Sequence, residues 1–227
     1  TDADFNTALG YHALSSDTKG SRATAIGQGA LFSQNFTSAT NNYNTAVGYA
    51  AGVNVTTGVE NNLIGGLAGD ALTVGSYNQV LGVAALSADT KGSRSIAIGH
   101  AALLSQNFTT ATDAYNVAIG HNTGLSVSTG IQNTLIGGLA GDALTDADYN
   151  VALGYLALST DTLGSRSIAI GYGALNNQNF TTATDTYNTA VGHSAGTAVT
   201  TGVRNTLIGG LAGDSLTNGD DNIALGY

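Results

Sequence analysis

The chain has 227 residues, enough for one large domain or a repeat array. It contains no Cys, Pro, Met or Trp, which excludes disulfides and thiolate metal sites. A net charge of −9 with only six Lys and Arg leaves no basic stripe to neutralise phosphates, and no run of about 18 apolar residues offers a membrane span. Charged residues make up 9%, against about 25% in ordinary domains, and Gly supplies 32 positions. Such a composition suits thin, closely packed elements with frequent turns.

One phrase recurs thirteen times, two apolar residues followed by Gly, at Gly10, Gly27, Gly48, Gly65 and onward to Gly226. The spacings run 17, 21, 17, 17 and then repeat, giving a superrepeat of 72 residues. A period this strict signals a repeat architecture. The chain therefore reads as a single array over residues 1–227, with superrepeats 11–82, 83–154 and 155–226. The opening Thr1-Asp-Ala-Asp-Phe-Asn-Thr-Ala-Leu-Gly-Tyr11 is nearly reprinted from Thr145 to Tyr155, so a segment of a longer array, or a subunit that meets another end to end, is expected.

Within the first turn, Tyr11-His12-Ala13-Leu14 reads as a short strand, Lys19-Gly20-Ser21 as a turn, and Ala23-Thr24-Ala25-Ile26 as a second strand. Dense Gly, Asn and β-branched residues with no 3.6 period argue against helix. The fold class is thus all-β, a parallel β-roll or β-solenoid. At a spacing of about 4.8 Å, twelve turns would stack to roughly 58 Å.

Aligned on the rung glycine, each turn shows fixed columns. Seven residues before it stand Gly20, Asn41, Gly58, Gly75 and their successors, residue types that tolerate positive φ; Ala147 is the misfit. Four before it Asn recurs, except at Ala23, Ser95 and Ser167. Two readings compete for this Asn: a ladder bonding along the stacking axis, or closure of its own turn. Directly before the glycine the residue is always Leu, Ile or Val, and two before it always Ala, Leu or Val. Alternation makes both strand faces apolar, and a roll has one interior, so another copy of the chain is expected to cover the outer face. We assign the residue before the glycine to the chain's own interior and the one before that to the partner. Leu63, Leu135 and Leu207, which replace Ala there, become the bulky oligomer contacts.

The 21-residue turns insert Gln34-Asn35-Phe36-Thr37, Gln106-Asn107-Phe108-Thr109 and Gln178-Asn179-Phe180-Thr181. Read as protrusions, Phe36, Phe108 and Phe180 are surface contacts for a ligand or neighbour; the plainer reading folds each back as a plug. Asn35, Asn107 and Asn179 each head an Asn-Phe-Thr triplet, the N-glycosylation acceptor pattern, and Asn54-Val55-Thr56 is another.

Catalytic chemistry finds no support, because every candidate side chain is reprinted in almost every superrepeat and a unique pocket is not expected. Gly65-Gly66-Leu67-Ala68-Gly69-Asp70 departs from the calcium-binding nonapeptide in its glycines and in its 72-residue period, so Gly66 is read as allowing close backbone approach and Asp70 as bonding turn amides. His100 and His121 follow consecutive rung glycines and read as members of a stacked polar-aromatic column rather than a metal site. Asp17 with Arg22, Asp89 with Arg94 and Asp161 with Arg166 read as local surface pairs. No cofactor is expected.

Asn44-Thr45-Ala46-Val47-Gly48-Tyr49, Ser95-Ile96-Ala97-Ile98-Gly99 and Ser167-Ile168-Ala169-Ile170-Gly171 resemble the head repeats of trimeric autotransporter adhesins and the Asn-Thr-Ala-Val-Gly-Tyr arrays of phage tail-fibre-like proteins. The resemblance covers the whole chain, although adhesin heads use shorter turns. It implies a left-handed parallel β-roll, three chains about one axis and an extracellular place on a cell-surface appendage or virion fibre. The expected function is a structural fibre or filament shaft with an adhesive role and no catalysis. The alternative is a glycan- or surface-binding adhesin head or a receptor-binding tail-fibre region. Expected partners are further copies of the chain, in a trimer or end to end, and glycans or a host surface, with no nucleic acid.

Overall fold

The three-residue rung strands are short because Gly ends each one in a conformation other residues rarely adopt, with φ between +117° and +149°. The structure is a computed structural model and describes residues 3–227. Thr1 and Asp2, which open the repeated stretch noted above, lie outside the described residues. The chain divides into two compact units, Thr1–Tyr115 and Asn116–Tyr227.

In the first unit, β1 (Thr7–Leu9), β3 (Thr24–Ile26), β5 (Thr45–Val47), β6 (Asn62–Ile64), β7 (Gln79–Leu81) and β9 (Ile96–Ile98) pair in parallel, each with the next. Two-residue pieces accompany the long turns, β2 (Gly20–Ser21) beside β4 (Thr40–Asn41) and β8 (Gly92–Ser93) beside β10 (Thr112–Asp113). In the second unit, β11 (Val117–Ile119), β12 (Thr134–Ile136), β13 (Val151–Leu153), β15 (Ile168–Ile170), β17 (Thr189–Val191), β18 (Thr206–Ile208) and β19 (Ile223–Leu225) pair likewise, with β14 (Gly164–Ser165) beside β16 (Thr184–Asp185). Register never slips: Ala46 lies beside Ala25 and Leu63, one turn to either side. Each unit is an all-β parallel solenoid, with no helix among the described residues.

The expected second strand is not one. Residues 11–14 and their equivalents form overlapping four-residue turns, closed by bonds from the Ala30 N–H to the Gly27 carbonyl (3.3 Å) and from Phe32 to Gly29 (3.2 Å). The third residue of each turn has positive φ, as a type II turn requires: Gly29 at +70° and Leu31 at +50°. Backbone polar groups still reach the neighbouring turn, for example from Leu31 N–H to the Ala51 carbonyl at 3.1 Å.

The left-handed residue is also not seven before the glycine. It is five before, in all thirteen turns, from Phe5 to Asp221, with φ between +51° and +67°. Gly58 and Gly75, in the column where it was expected, are required for closeness instead: a Cβ on Gly58 would run into the Gly75 carbonyl one turn on.

The interior reverses our assignment of the two apolar columns. Ala25, Ala46, Leu63, Ala97, Leu135, Ala152 and Leu207, two before the glycine, are fully buried within the chain itself. The residue directly before the glycine faces outward, with Leu81 47% and Leu153 41% exposed. Leu63, Leu135 and Leu207 are therefore not oligomer contacts. Their bulk is explained by the turn column four residues after the glycine, which reads Leu14, Leu31, Gly52, Gly69 and then repeats. Ala, or Val at position 80, faces Leu in two turns of four. Where Gly52 and Gly69 remove side chains, Leu63 fills the space, and a Cβ on Gly69 would lie 2.9 Å from Leu63 Cδ2.

Candidate functional surfaces

The asparagine column is built as an axial ladder. The Asn44 carboxamide oxygen accepts the Asn61 N–H at 2.9 Å, and its Nδ2 donates to the Gly58 carbonyl at 2.7 Å, both one turn on. Asn61 treats Asn78 and Gly75 the same way, at 3.0 and 2.9 Å. Asn78 Nδ2 also reaches Asn61 Oδ1 at 3.1 Å. These side chains are fully buried and saturate backbone groups that would otherwise be orphaned. Where Ser95 and Ser167 interrupt the column, the inserted glutamine steps in: Gln106 Nε2 donates to Ser95 Oγ at 3.1 Å and Gln178 Nε2 to Ser167 Oγ at 2.8 Å.

The insertions fold inward. Phe36, Phe108 and Phe180 are 6%, 5% and 7% exposed, so the plug reading holds and the protruding-contact reading is corrected. Each Phe packs beside a buried polar cluster. Asp89 Oδ1 accepts from the Gly92 N–H at 2.9 Å and the Phe108 N–H at 3.2 Å, while its Oδ2 accepts from Gln106 Nε2 at 2.6 Å. Asp17 and Asp161 bond Gln34 and Gln178 identically at 2.6 Å. These aspartates consequently do not pair with Arg22, Arg94 and Arg166, correcting that expectation.

No cation faces the Asp89 carboxylate in this cluster, and burial raises its pKa against the opposing hydrogen bonds from Gln106, Gly92, Phe108 and Lys91. The folded state thus holds the proton more tightly than the unfolded chain. Stability from this group is full below the ordinary carboxylate value of about 3.9 and is lost as pH rises through the raised folded value. In Asp89→Asn that component of the slope should vanish, a change of at most about 1.4 kcal/mol per pH unit. Denaturant melts of both proteins from acid to neutral pH measure it; identical slopes would remove this account of Asp89.

The column five before the glycine makes a surface stripe that our sequence reading did not align. In it aromatic residues alternate with other residues: Phe5, Arg22, Tyr43, Glu60, Tyr77, Arg94, Tyr115 in the first unit. The Arg94 guanidinium lies 4.7 Å from the Tyr77 ring and 5.7 Å from Tyr115, and its Nε meets Asp113 at 3.1 Å. Arg166 sits likewise between Tyr149 (4.6 Å) and Tyr187 (5.9 Å), with Asp185 at 3.0 Å. Arg22 takes Phe5, Tyr43 and the Asn41 side chain. Each of these three arginines is clamped between rings one turn to either side, whereas Arg204 in the same column pairs with Asp221, so the stripe ties neighbouring turns together. The alternation was visible in the sequence once positive φ was known to fall there.

The column after the glycine stacks over three turns of the second unit, Tyr155 on Tyr172 at 5.8 Å and Tyr172 on His193 at 5.0 Å with rings 9° from parallel, whereas in the first unit Tyr11 meets the adjacent His12 edge-on. His100 and His121 occupy this column, one in each unit. Gly66 allows no close backbone approach, since a Cβ there would find its nearest atom, the Tyr49 carbonyl oxygen, 4.0 Å away. Asp70 accepts from the Ser87 hydroxyl at 2.5 Å rather than from turn amides. Among the described residues no group of three or more His, Asp or Glu could hold a metal ion, and no helix is long and apolar enough to cross a membrane. An open depression of about 300 Å³ lies among Asp4, Phe5, Ser21, Ala39, Thr40 and Asn41. Comparison with protein-family models, with curated proteins and with solved structures finds no match.

Proposed function

We propose that the chain is a structural fibre or filament shaft, extracellular and without catalysis, that associates laterally with copies of itself. The supporting observation is the outward column directly before the rung glycine. It carries Leu, Ile or Val in every turn, with Leu81, Leu153 and Ile208 all more than two-fifths exposed. An outward apolar stripe of this kind in each unit is costly in water and is relieved by a matching stripe on another copy. Closed rotation is the usual solution, and the resemblance to trimeric adhesin heads and tail fibres favours three chains.

Light scattering on the purified chain tests this. Three copies per particle are expected, falling to one in the double variant Leu81→Lys, Leu153→Lys, with an unchanged circular dichroism spectrum because both side chains lie outside the core. A wild-type chain that is monomeric and soluble at micromolar concentration defeats the proposal. The adhesive part of the role, toward glycans or a host surface, falls to the outer tyrosines, such as Tyr43 and Tyr187, rather than to the covered Phe36, Phe108 and Phe180.

A further inference from the structure

We propose that Asn35, Asn107 and Asn179 are N-glycosylation sites, presented by the folded surface, and that Asn54 is not. All four head an Asn-x-Thr triplet, the pattern such acceptors require. The fold separates them. In the first three, Gln and Phe on either side are buried, and alternation turns the intervening Asn outward. Each side chain is then held by its oxygen alone. Asn35 Oδ1 accepts the Thr18 hydroxyl at 3.1 Å, while Thr90 shares its hydroxyl proton between Asn107 Oδ1 (3.0 Å) and the Phe108 carbonyl (2.8 Å), and Thr162 between Asn179 Oδ1 (3.2 Å) and the Phe180 carbonyl (2.8 Å). In a planar carboxamide this leaves Nδ2, the atom that takes the sugar, directed away from the bonded turn. At Asn54 the reverse holds: Nδ2 donates to the Asp70 carbonyl at 2.9 Å and is committed to the stack.

The position suits a bulky modification. Each of the three lies eight residues after a rung glycine, off the strands that carry the outward apolar column. Asn35 and Asn107, four turns apart, would bear glycans spaced by roughly 19 Å. Threonines 37, 109 and 181, which complete the triplets, are themselves exposed. The donor is a sugar activated at C1 through a diphosphate, on either a lipid or a nucleotide. Nδ2 forms a bond to C1 and gives up one proton, while the C1–O bond breaks and the diphosphate departs with its electron pair. The carbonyl oxygen is untouched, so the bond from the threonine hydroxyl survives.

Peptide mass spectrometry on the protein isolated from the cells that make it, before and after enzymatic N-glycan release, reads the outcome. Sugar mass is expected at Asn35, Asn107 and Asn179, each converted to Asp on release, with Asn54 bare. The triple variant Asn35→Gln, Asn107→Gln, Asn179→Gln should lose all of it. So should Thr37→Ala, Thr109→Ala, Thr181→Ala, which keeps the asparagines and guards against a folding defect in the first variant. A bare chain, sugar on threonine alone, or modification of Asn54 overturns the proposal. Lateral association is measured separately and stands or falls without it.

Discussion

Replacing Gly137 by Ala should destabilise the second unit by roughly 2–6 kcal/mol, combining left-handed strain with overpacking. Gly137 has φ +127°, and a Cβ there would lie 2.6 Å from the Gly154 carbonyl oxygen and 2.7 Å from its carbon. Those atoms belong to the next rung and cannot retreat without breaking its register. Gly29→Ala is the control. Its φ of +70° is also left-handed, but the nearest heavy atom would be Val53 Cγ2 at 3.9 Å. The same column already holds Ala50, Ala84 and Ala101 at φ +53° to +55°. Its cost should stay near 1–2 kcal/mol. Urea melts followed by circular dichroism separate the two, and equal losses would show that backbone strain, rather than the approach of successive rungs, demands glycine at the rung.

This distinction marks where the sequence was readable. Spacing alone fixed the strand register, because Gly48 and Gly65 can stack only if every intervening residue stays in its column. Turn conformation was harder. Left-handed positions were sought where Gly, Asn and Asp cluster, yet those glycines answer to crowding from the next turn, as at Gly58. The left-handed columns hold Tyr, Arg, Leu and Ala instead. Their signature is an exclusion: in a chain rich in Val, Ile and Thr, none of the non-glycine residues with positive φ is β-branched. The arginine sandwiches were hidden for the same reason, since Arg22 and Tyr43 meet only when the residue five before the glycine points outward on successive turns. The facing of the strand was missed because both of its columns are apolar, so hydrophobicity could not choose between them. Size could have, through the Leu63 column answering Gly52 and Gly69.

That size relation predicts a coupled pair. Leu135 is fully buried, and its methyls fill the space beside Gly141, where a Cβ would lie 2.8 Å from Leu135 Cδ2 and 2.9 Å from Leu144 Cδ1. Leu135→Ala should cost about 2–5 kcal/mol, the transfer loss plus a cavity the neighbouring rungs cannot close. Gly141→Ala alone should cost about 2–5 kcal/mol, overpacking added to the left-handed strain at φ +57°. Together they should be less harmful than their sum by about 1–3 kcal/mol, because the new methyl enters the vacated volume, leaving its contact with Leu144 and the left-handed strain. Equilibrium denaturation of the four proteins closes the cycle. Strict additivity would break the link between the Leu and Gly columns. The single variant carries a further test of which way the strand faces. If Leu135 met a partner chain, as the sequence first suggested, its loss would weaken association and leave unfolding of the dilute chain unchanged. If it fills the chain's own interior, unfolding shifts by the full amount even in particles dissociated by the outer lysine substitutions.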